Sequence, residues 1–200
     1  MLRKMEKLDL GKRYKAYYSA KISPELLELD PAKFISIKGS GDPAAEQFRE
    51  NIQTLYAAAY TIKFNCKAQT TDFVVAKLEG LWDFEDQAAK DLLLQDIPLK
   101  VPKDKWLYRL MIRMPDYVGE EQVTTAVQSL ISKKALTAAS NIVLFEMGAE
   151  RVVQMLHTGP FEQQPETLKQ IQDYMDANGL EKSGLHHEIY LSDFNKTSPD

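Results

Sequence analysis

The sequence predicts an α+β fold: two strand–helix–strand–strand units forming antiparallel sheet, with helices on one side and a ligand pocket between the halves. Three observations carry this expectation. Over residues 105–115, Trp106, Tyr108, Leu110 and Ile112 alternate with Leu107, Arg109, Met111 and Arg113, which is the period of a strand. Helix-periodic stretches interrupt such strands. The chain also echoes itself. Residues 32–43 are an alternating run ending at Gly39-Ser40-Gly41 and leading into a helical pattern, and residues 151–161 end at Gly159 and lead into another.

The elements follow in order. A strand over 32–43 precedes a helix over 44–60, where Phe48, Ile52, Leu55 and Tyr56 recur at helical spacing. A strand is expected at 73–80, a short helix at 85–95 and the alternating strand at 105–115. The helix at 119–134 begins with Glu120 and Glu121 and ends with Lys133 and Lys134, as the macrodipole prefers. Residues 141–156 read as a hairpin turning at Met147-Gly148-Ala149. Pro165 opens a helix that Asn178-Gly179 stops, and a strand at 186–193 closes the chain. The whole reads as one domain over 1–200, with an N-terminal basic arm (1–30), a first half (31–115) and a second half (116–200).

The composition, 44% hydrophobic and 27% charged, is that of a soluble globular protein. A net charge of −4 argues against a nucleic-acid binder, which needs a basic face for phosphates. Residues 1–21 hold seven Lys or Arg against Glu6 and Asp9, and this arm reads as a solvated segment. Cys66 is the sole cysteine, so no intrachain disulfide forms. The start resembles no signal peptide, and the longest uncharged run, 135–145, is too short to span a bilayer. A cytoplasmic protein with no membrane partner is expected.

General catalytic motifs are missing: there is no phosphate-cradling loop, dinucleotide fingerprint or nucleophile elbow, and no cofactor is implied. Cys66 reads as a semi-buried thiol. His186 and His187 are strand neighbours facing opposite ways, so they do not share a metal, and no metal site is expected. His157 reads first as a brace for the turn at 157–161.

The closing strand raises a question. Alternation puts Glu188, Tyr190 and Ser192 on one face and His187, Ile189 and Leu191 on the other, which its apolar residues mark as the core side. A carboxylate and a phenol on the first face imply either water or a cavity. Trp82, Trp106, Tyr108, Tyr190, Glu79 and Glu188 all lie on or just after strands. An aromatic-walled cavity with a carboxylate at its base suits a flat organic guest, often a cation. Burial would raise that carboxylate's pKa, suiting it as general base or counter-charge.

The segments LGKRYKAYYSAK, FISIKGSGDP, AAAYTIKF, FVVAKLEGLW, KWLYRLMIRMPDYV, HTGPF and HHEIYLSD together resemble the GyrI-like small-molecule-binding domain family. More narrowly, they resemble its stand-alone bacterial branch, which includes hydrolases of cyclopropane-bearing DNA alkylators. The resemblance spans about Leu10 to Asp193. It implies a duplicated unit and a characteristic glutamate in the last strand, here Glu188, facing a central pocket. On this reading Glu188, Tyr108 and Tyr190 are the catalytic candidates, and Trp82, Trp106, Glu79, His157 and Phe161 bind the small-molecule ligand. Asp83 stands where the branch usually has a second tryptophan, which would reshape or acidify the pocket mouth, and Phe161 stands where a tyrosine is usual. A non-catalytic drug-binding sensor or sequestering protein, or a gyrase-type interaction inhibitor, are the alternatives.

Overall fold

The computed structural model describes residues 7–85 and 91–192. Its strands are β1 (Lys7–Asp9), β2 (Glu25–Leu29), β3 (Ala32–Ser40), β4 (Asp72–Val74), β5 (Leu78–Phe84), β6 (Trp106–Met114), β7 (Val143–Met147), β8 (Glu150–Gln154) and β9 (His186–Ile189). Its helices are α1 (Leu10–Arg13), α2 (Glu46–Ala68), α3 (Ile97–Lys100), α4 (Glu120–Lys134) and α5 (Gln164–Ala177). The fold is α+β. A five-stranded antiparallel sheet in the order β7-β3-β6-β5-β9 forms its centre.

Both strand-to-helix turns of the internal echo need glycine. Gly41 between β3 and α2 has φ +100°, and Gly159 between β8 and α5 has φ +113°, a region L side chains rarely adopt. Residues early and late in the chain meet in the central sheet at two places, β3 with β7 and β5 with β9.

Three expected elements are redrawn. The hairpin at 141–156 does not pair with itself: β7 pairs with β3 and β8 with β2. The register is continuous across the break, with Ala32 opposite Met147 and Leu29 opposite Glu150. One long two-stranded ribbon is thus interrupted where Pro31, which lacks an N–H, falls opposite Gly148 in that register. The strand at 73–80 is two strands. Buried Lys63 of α2 binds the Asp72 carboxylate and the Phe73 carbonyl, each at 2.5 Å, and ties β4, which pairs with β1, to the helix. Helix α2 runs eight residues past the expected end, because Ile62, Lys63 and Cys66 continue the buried face of Leu55, Ala58 and Ala59. The short helix expected at 85–95 lies partly outside the described residues; the helical turns seen are at 94–96 and α3.

The central sheet has two unlike faces. Ile35, Ile37, Leu78, Leu110 and Ile112 face α2 and α4 and join Leu55, Ile62, Ala126 and Leu130 in the main core. The reverse face carries Ala32, Phe34, Met111 and Met147. The N-terminal segment covers part of it, contrary to the solvated arm expected from charge. Leu10 and Tyr17 are buried, and the Arg113 guanidinium lies 3.8 Å from the Tyr14 ring centroid and 5.0 Å from that of Tyr17. The arm's own tyrosine rings take up Arg113 of β6 where its charge pattern suggested water. Among the described residues no helix is long and apolar enough to cross a membrane.

Candidate functional site

Two rows of side chains cross four strands of the sheet on the α2 face. Gly39, Tyr108, Trp82 and His186 make one row, and Ile37, Leu110, Gly80 and Glu188 the next. Each row holds a glycine for want of space. A Cβ on Gly39 would stand 2.3 Å from the Tyr108 hydroxyl, so the phenol lies across bare backbone. A Cβ on Gly80 would meet Trp82 Nε1 and the Tyr190 hydroxyl, both at 3.2 Å.

Glu188 is the electrostatic centre of these rows. Its Oε2 accepts hydrogen bonds from Trp82 Nε1 at 2.9 Å and from the Tyr190 hydroxyl at 2.6 Å. Its Oε1 accepts from Gln164 Nε2, at the start of α5, and lies 3.2 Å from His186 Nε2. Burial pushes this carboxyl upward, but the bonds and charge of His186 and the bonds of Tyr190 and Gln164 outweigh burial and hold it at about 2. The rise expected from burial alone therefore does not occur. Glu188 is ionised at any physiological pH. Burial and the neighbouring Glu188 charge push the Tyr190 phenol well above its usual value, so it keeps its proton.

Aromatic rings wall the carboxylate. Trp82 stacks on Phe48 of α2 at 5.8 Å, with Trp106 edge-on at 5.5 Å and Tyr108 at 5.9 Å. Asn51, one helical turn beyond Phe48, donates to the Tyr108 hydroxyl at 3.0 Å. Trp82 and Tyr108 are buried, whereas Trp106, Gln164, His186, Glu188 and Tyr190 are half-buried and form the rim.

Tyr190 packs on the main core, so the Glu188 face, rather than the His187 face, is the one that meets it. Other sequence candidates lie elsewhere. Glu79 is next to Gly80 on β5, so its side chain emerges on the opposite face of the sheet from Glu188, and it is fully buried there. Asp83 shares that reverse side; its Oδ1 accepts from the Phe84 backbone N–H instead of acidifying the indole wall. His157 places Nδ1 2.8 Å from the Thr167 hydroxyl and Nε2 3.1 Å from the Pro160 carbonyl, so both nitrogens brace its turn. Phe161 is 52% exposed on the turn leading into α5. Among the described residues no three His, Cys, Asp or Glu side chains group to hold a metal.

Sequence reasoning missed Gln164, Phe48 and Asn51. Phe48 and Asn51 lie three residues apart on one face of α2, a legible signal once that face is known to meet Tyr108. Gln164 had none, since only the packing of α5 brings it to Glu188. A cleft of about 260 Å³ between α2 and α4 is lined by Asn65, Cys66, Gln69, Glu121, Gln122 and Thr125. It opens about 21 Å along α2 from Asn51, at 1.5 Å per residue, and takes no part in this site.

The fold and the family model together place the chain among small-molecule-binding domains. The chain belongs to the GyrI-like small molecule binding domain family, whose model matches residues 23–200. It is similar to an uncharacterized conserved protein from Listeria innocua, with 34% identity, a TM-score of 0.84, and coverage of 96% of this chain and 94% of the other. A hydrolase from Listeria innocua is 33% identical, with a TM-score of 0.81 over 96% and 94% of the two chains. The EcmrR C-terminal domain, at 10% identity and a TM-score of 0.55 over 88% and 87%, shares the fold alone. No curated protein matches the chain.

Proposed function

We propose that this protein binds a planar, apolar or cationic heteroaromatic molecule against the Trp82–Trp106–Tyr108 wall, and that it hydrolyses cyclopropane-bearing alkylators there, protecting the cell's own DNA. The observation that carries the reading is the Glu188 carboxylate, ionised among four neutral or cationic donors beside two indoles packed edge to face. Such a fixed anion favours a flat guest that is, or becomes, electron-poor. The 33% identity with a Listeria innocua hydrolase over 96% of the chain supports the catalytic half.

In the reaction, a water oxygen bonds to the cyclopropyl carbon as the strained C–C bond breaks. The released electron pair moves into the conjugated carbonyl, and the water's proton ends on the product. A carboxylate held at about 2 is a weak base, so Glu188 orients the water and stabilises positive charge at the carbon under attack. Tyr190 already donates its hydroxyl hydrogen bond to Glu188, whereas Asn51 fills an acceptor position of Tyr108 and leaves its O–H free to donate. Tyr108 is therefore the better donor to the carbonyl as it gains charge.

The low pKa favours a second reading, sequestration without turnover, because binding a cation needs the charge and no proton transfer. Incubation with a cyclopropane-containing alkylator separates the two by mass spectrometry. Hydrolysis yields the water adduct, lost in Glu188→Gln; unchanged alkylator with saturable binding leaves sequestration. Absence of both adduct and binding overturns the proposal.

A further inference from the structure

The reverse face of the sheet holds a second buried carboxylate, one residue out of step with Glu188. Glu79 Oε2 accepts a hydrogen bond from the Tyr17 hydroxyl at 2.5 Å, and Oε1 accepts from Tyr18 at 3.1 Å. His187 Nε2 lies 2.9 Å from Oε2. Arg113 stands over the Tyr17 ring, and Tyr17 and Tyr18 meet edge-to-face at 4.8 Å. Burial, followed by the Glu79 charge, pushes both phenols far above their usual values, so they remain donors.

This cluster grips the strand that carries Glu188. Strand β9 has four residues and, among the described residues, lies at the sheet's edge and pairs only with β5. Residues 181–185, which lead into it, are all exposed. So short an edge strand has little backbone pairing to fix its register, and a slip of one residue would turn every side chain to the other face. Neighbouring side chains remove that freedom. In the observed register His187 meets Glu79 on the reverse face while Glu188 meets Trp82, Tyr190 and Gln164 on the other. In the slipped register Glu188 would face Glu79, bringing two carboxylates together out of water, and His187 would face the indole donor.

We infer that Glu79 is a positioning residue: with Tyr17 and Tyr18 of the N-terminal segment it holds His187, and through His187 it sets the register and aim of Glu188. The inference rests on the proposed role of Glu188 for its functional meaning, but not for its structural content. It also assigns a task to residues 17 and 18, which precede the part of the chain matched by the family model. Glu79 touches no guest; it acts from behind the sheet.

The test uses amide hydrogen exchange over residues 186–190 in ligand-free protein, together with ethidium as the binding probe. His187→Ala should speed exchange there about tenfold and weaken ethidium by a similar factor, since it leaves a buried acceptor short of a donor. His187→Gln, which keeps an N–H donor, should restore most of both. Leu130→Ala, a buried change in α4, serves as the control for general loss of stability. Should His187→Ala fail to fold, Tyr18→Phe removes the longer bond, keeps the ring and should speed exchange about threefold. Exchange over 186–190 no faster than in the Leu130→Ala control, or no recovery with His187→Gln, overturns the inference. If wild-type protein does not bind ethidium, cation binding at Glu188 fails, and the exchange data alone decide the clamp.

Discussion

Gly80 lies directly across the β5–β9 pair from Glu188, and the absence of its side chain lets Trp82 Nε1 and the Tyr190 hydroxyl approach that carboxylate. A Cβ at position 80 would be 3.2 Å from each of these donors, tighter than an ordinary contact. Gly80→Ala should therefore push aside the two groups on Oε2, with a stability cost of about 1–3 kcal/mol for overpacking. Ethidium affinity should fall at least as much as that of Glu188→Gln. Gly39→Ala should be the harsher change, because the Tyr108 ring leaves no room at 2.3–2.5 Å. Thermal melts and ethidium titration of both variants check this; unaltered affinity in Gly80→Ala would break the link between spacing and site.

Acid titration should reveal Glu188 directly. Its ordinary value of 4.5 is lowered to about 2 in the folded protein. A depressed carboxyl stabilises the fold above its unfolded pKa, and that contribution is lost as pH falls through the folded one. Wild-type stability should thus decline between about pH 4.5 and pH 2 more steeply than that of Glu188→Gln. At about 1.4 kcal/mol per pH unit the difference approaches about 3 kcal/mol. Urea melts at pH 5, 4 and 3 measure it; parallel pH slopes for the two proteins would contradict the assigned network.

Among the described residues, Gln164 is the one donor that reaches Glu188 from a helix. A cation approaching the carboxylate from the rim competes with that amide for Oε1. Gln164→Ala should tighten ethidium binding about fivefold, the worth of one hydrogen bond of about 1 kcal/mol. Binding of acridine at a pH where it is neutral should change little. Calorimetric titration of both probes tests this, and weaker ethidium binding would show that Gln164 holds Glu188 in place rather than covering it.

The chain's periodicities made most of the sheet and its helices legible. The alternation of β6, the helical spacing of Phe48, Ile52 and Leu55, and the paired Gly41 and Gly159 turns are all local signals that tertiary packing did not override. The ribbon of β2–β3 with β7–β8 was not legible, because strand partners depend on long-range register that no local pattern carries. Alternation likewise gave Glu188, Tyr190 and Trp82 their common face only after β5 was known to pair with β9. Glu79 was grouped with the aromatic wall although strand parity alone separates them, since it lies three residues from Trp82 on β5 and so faces the other way. The burial of Tyr17 could not be read from a segment whose charge pattern suggested solvent, since its partners, Glu79 and Arg113, lie 62 and 96 residues away in sequence.

Asn51 should act on the site through Tyr108. It is 5% exposed, donates Nδ2–H to the Tyr108 hydroxyl at 3.0 Å, and accepts from Gln47 Nε2 at 3.2 Å. Asn51→Leu keeps the bulk but removes the donor that holds the phenol, at a cost of about 1–3 kcal/mol. If Tyr108 gives its proton to the carbonyl of the guest, the same change should slow formation of the alkylator's water adduct, as should Tyr108→Phe. The double variant should then be no slower than Tyr108→Phe alone, because both changes remove one aimed hydroxyl. Single-turnover mass spectrometry gives the three rates. Strictly additive losses would mean that Asn51 and Tyr108 act separately, and the donor role would pass from Tyr108 to another group on the rim.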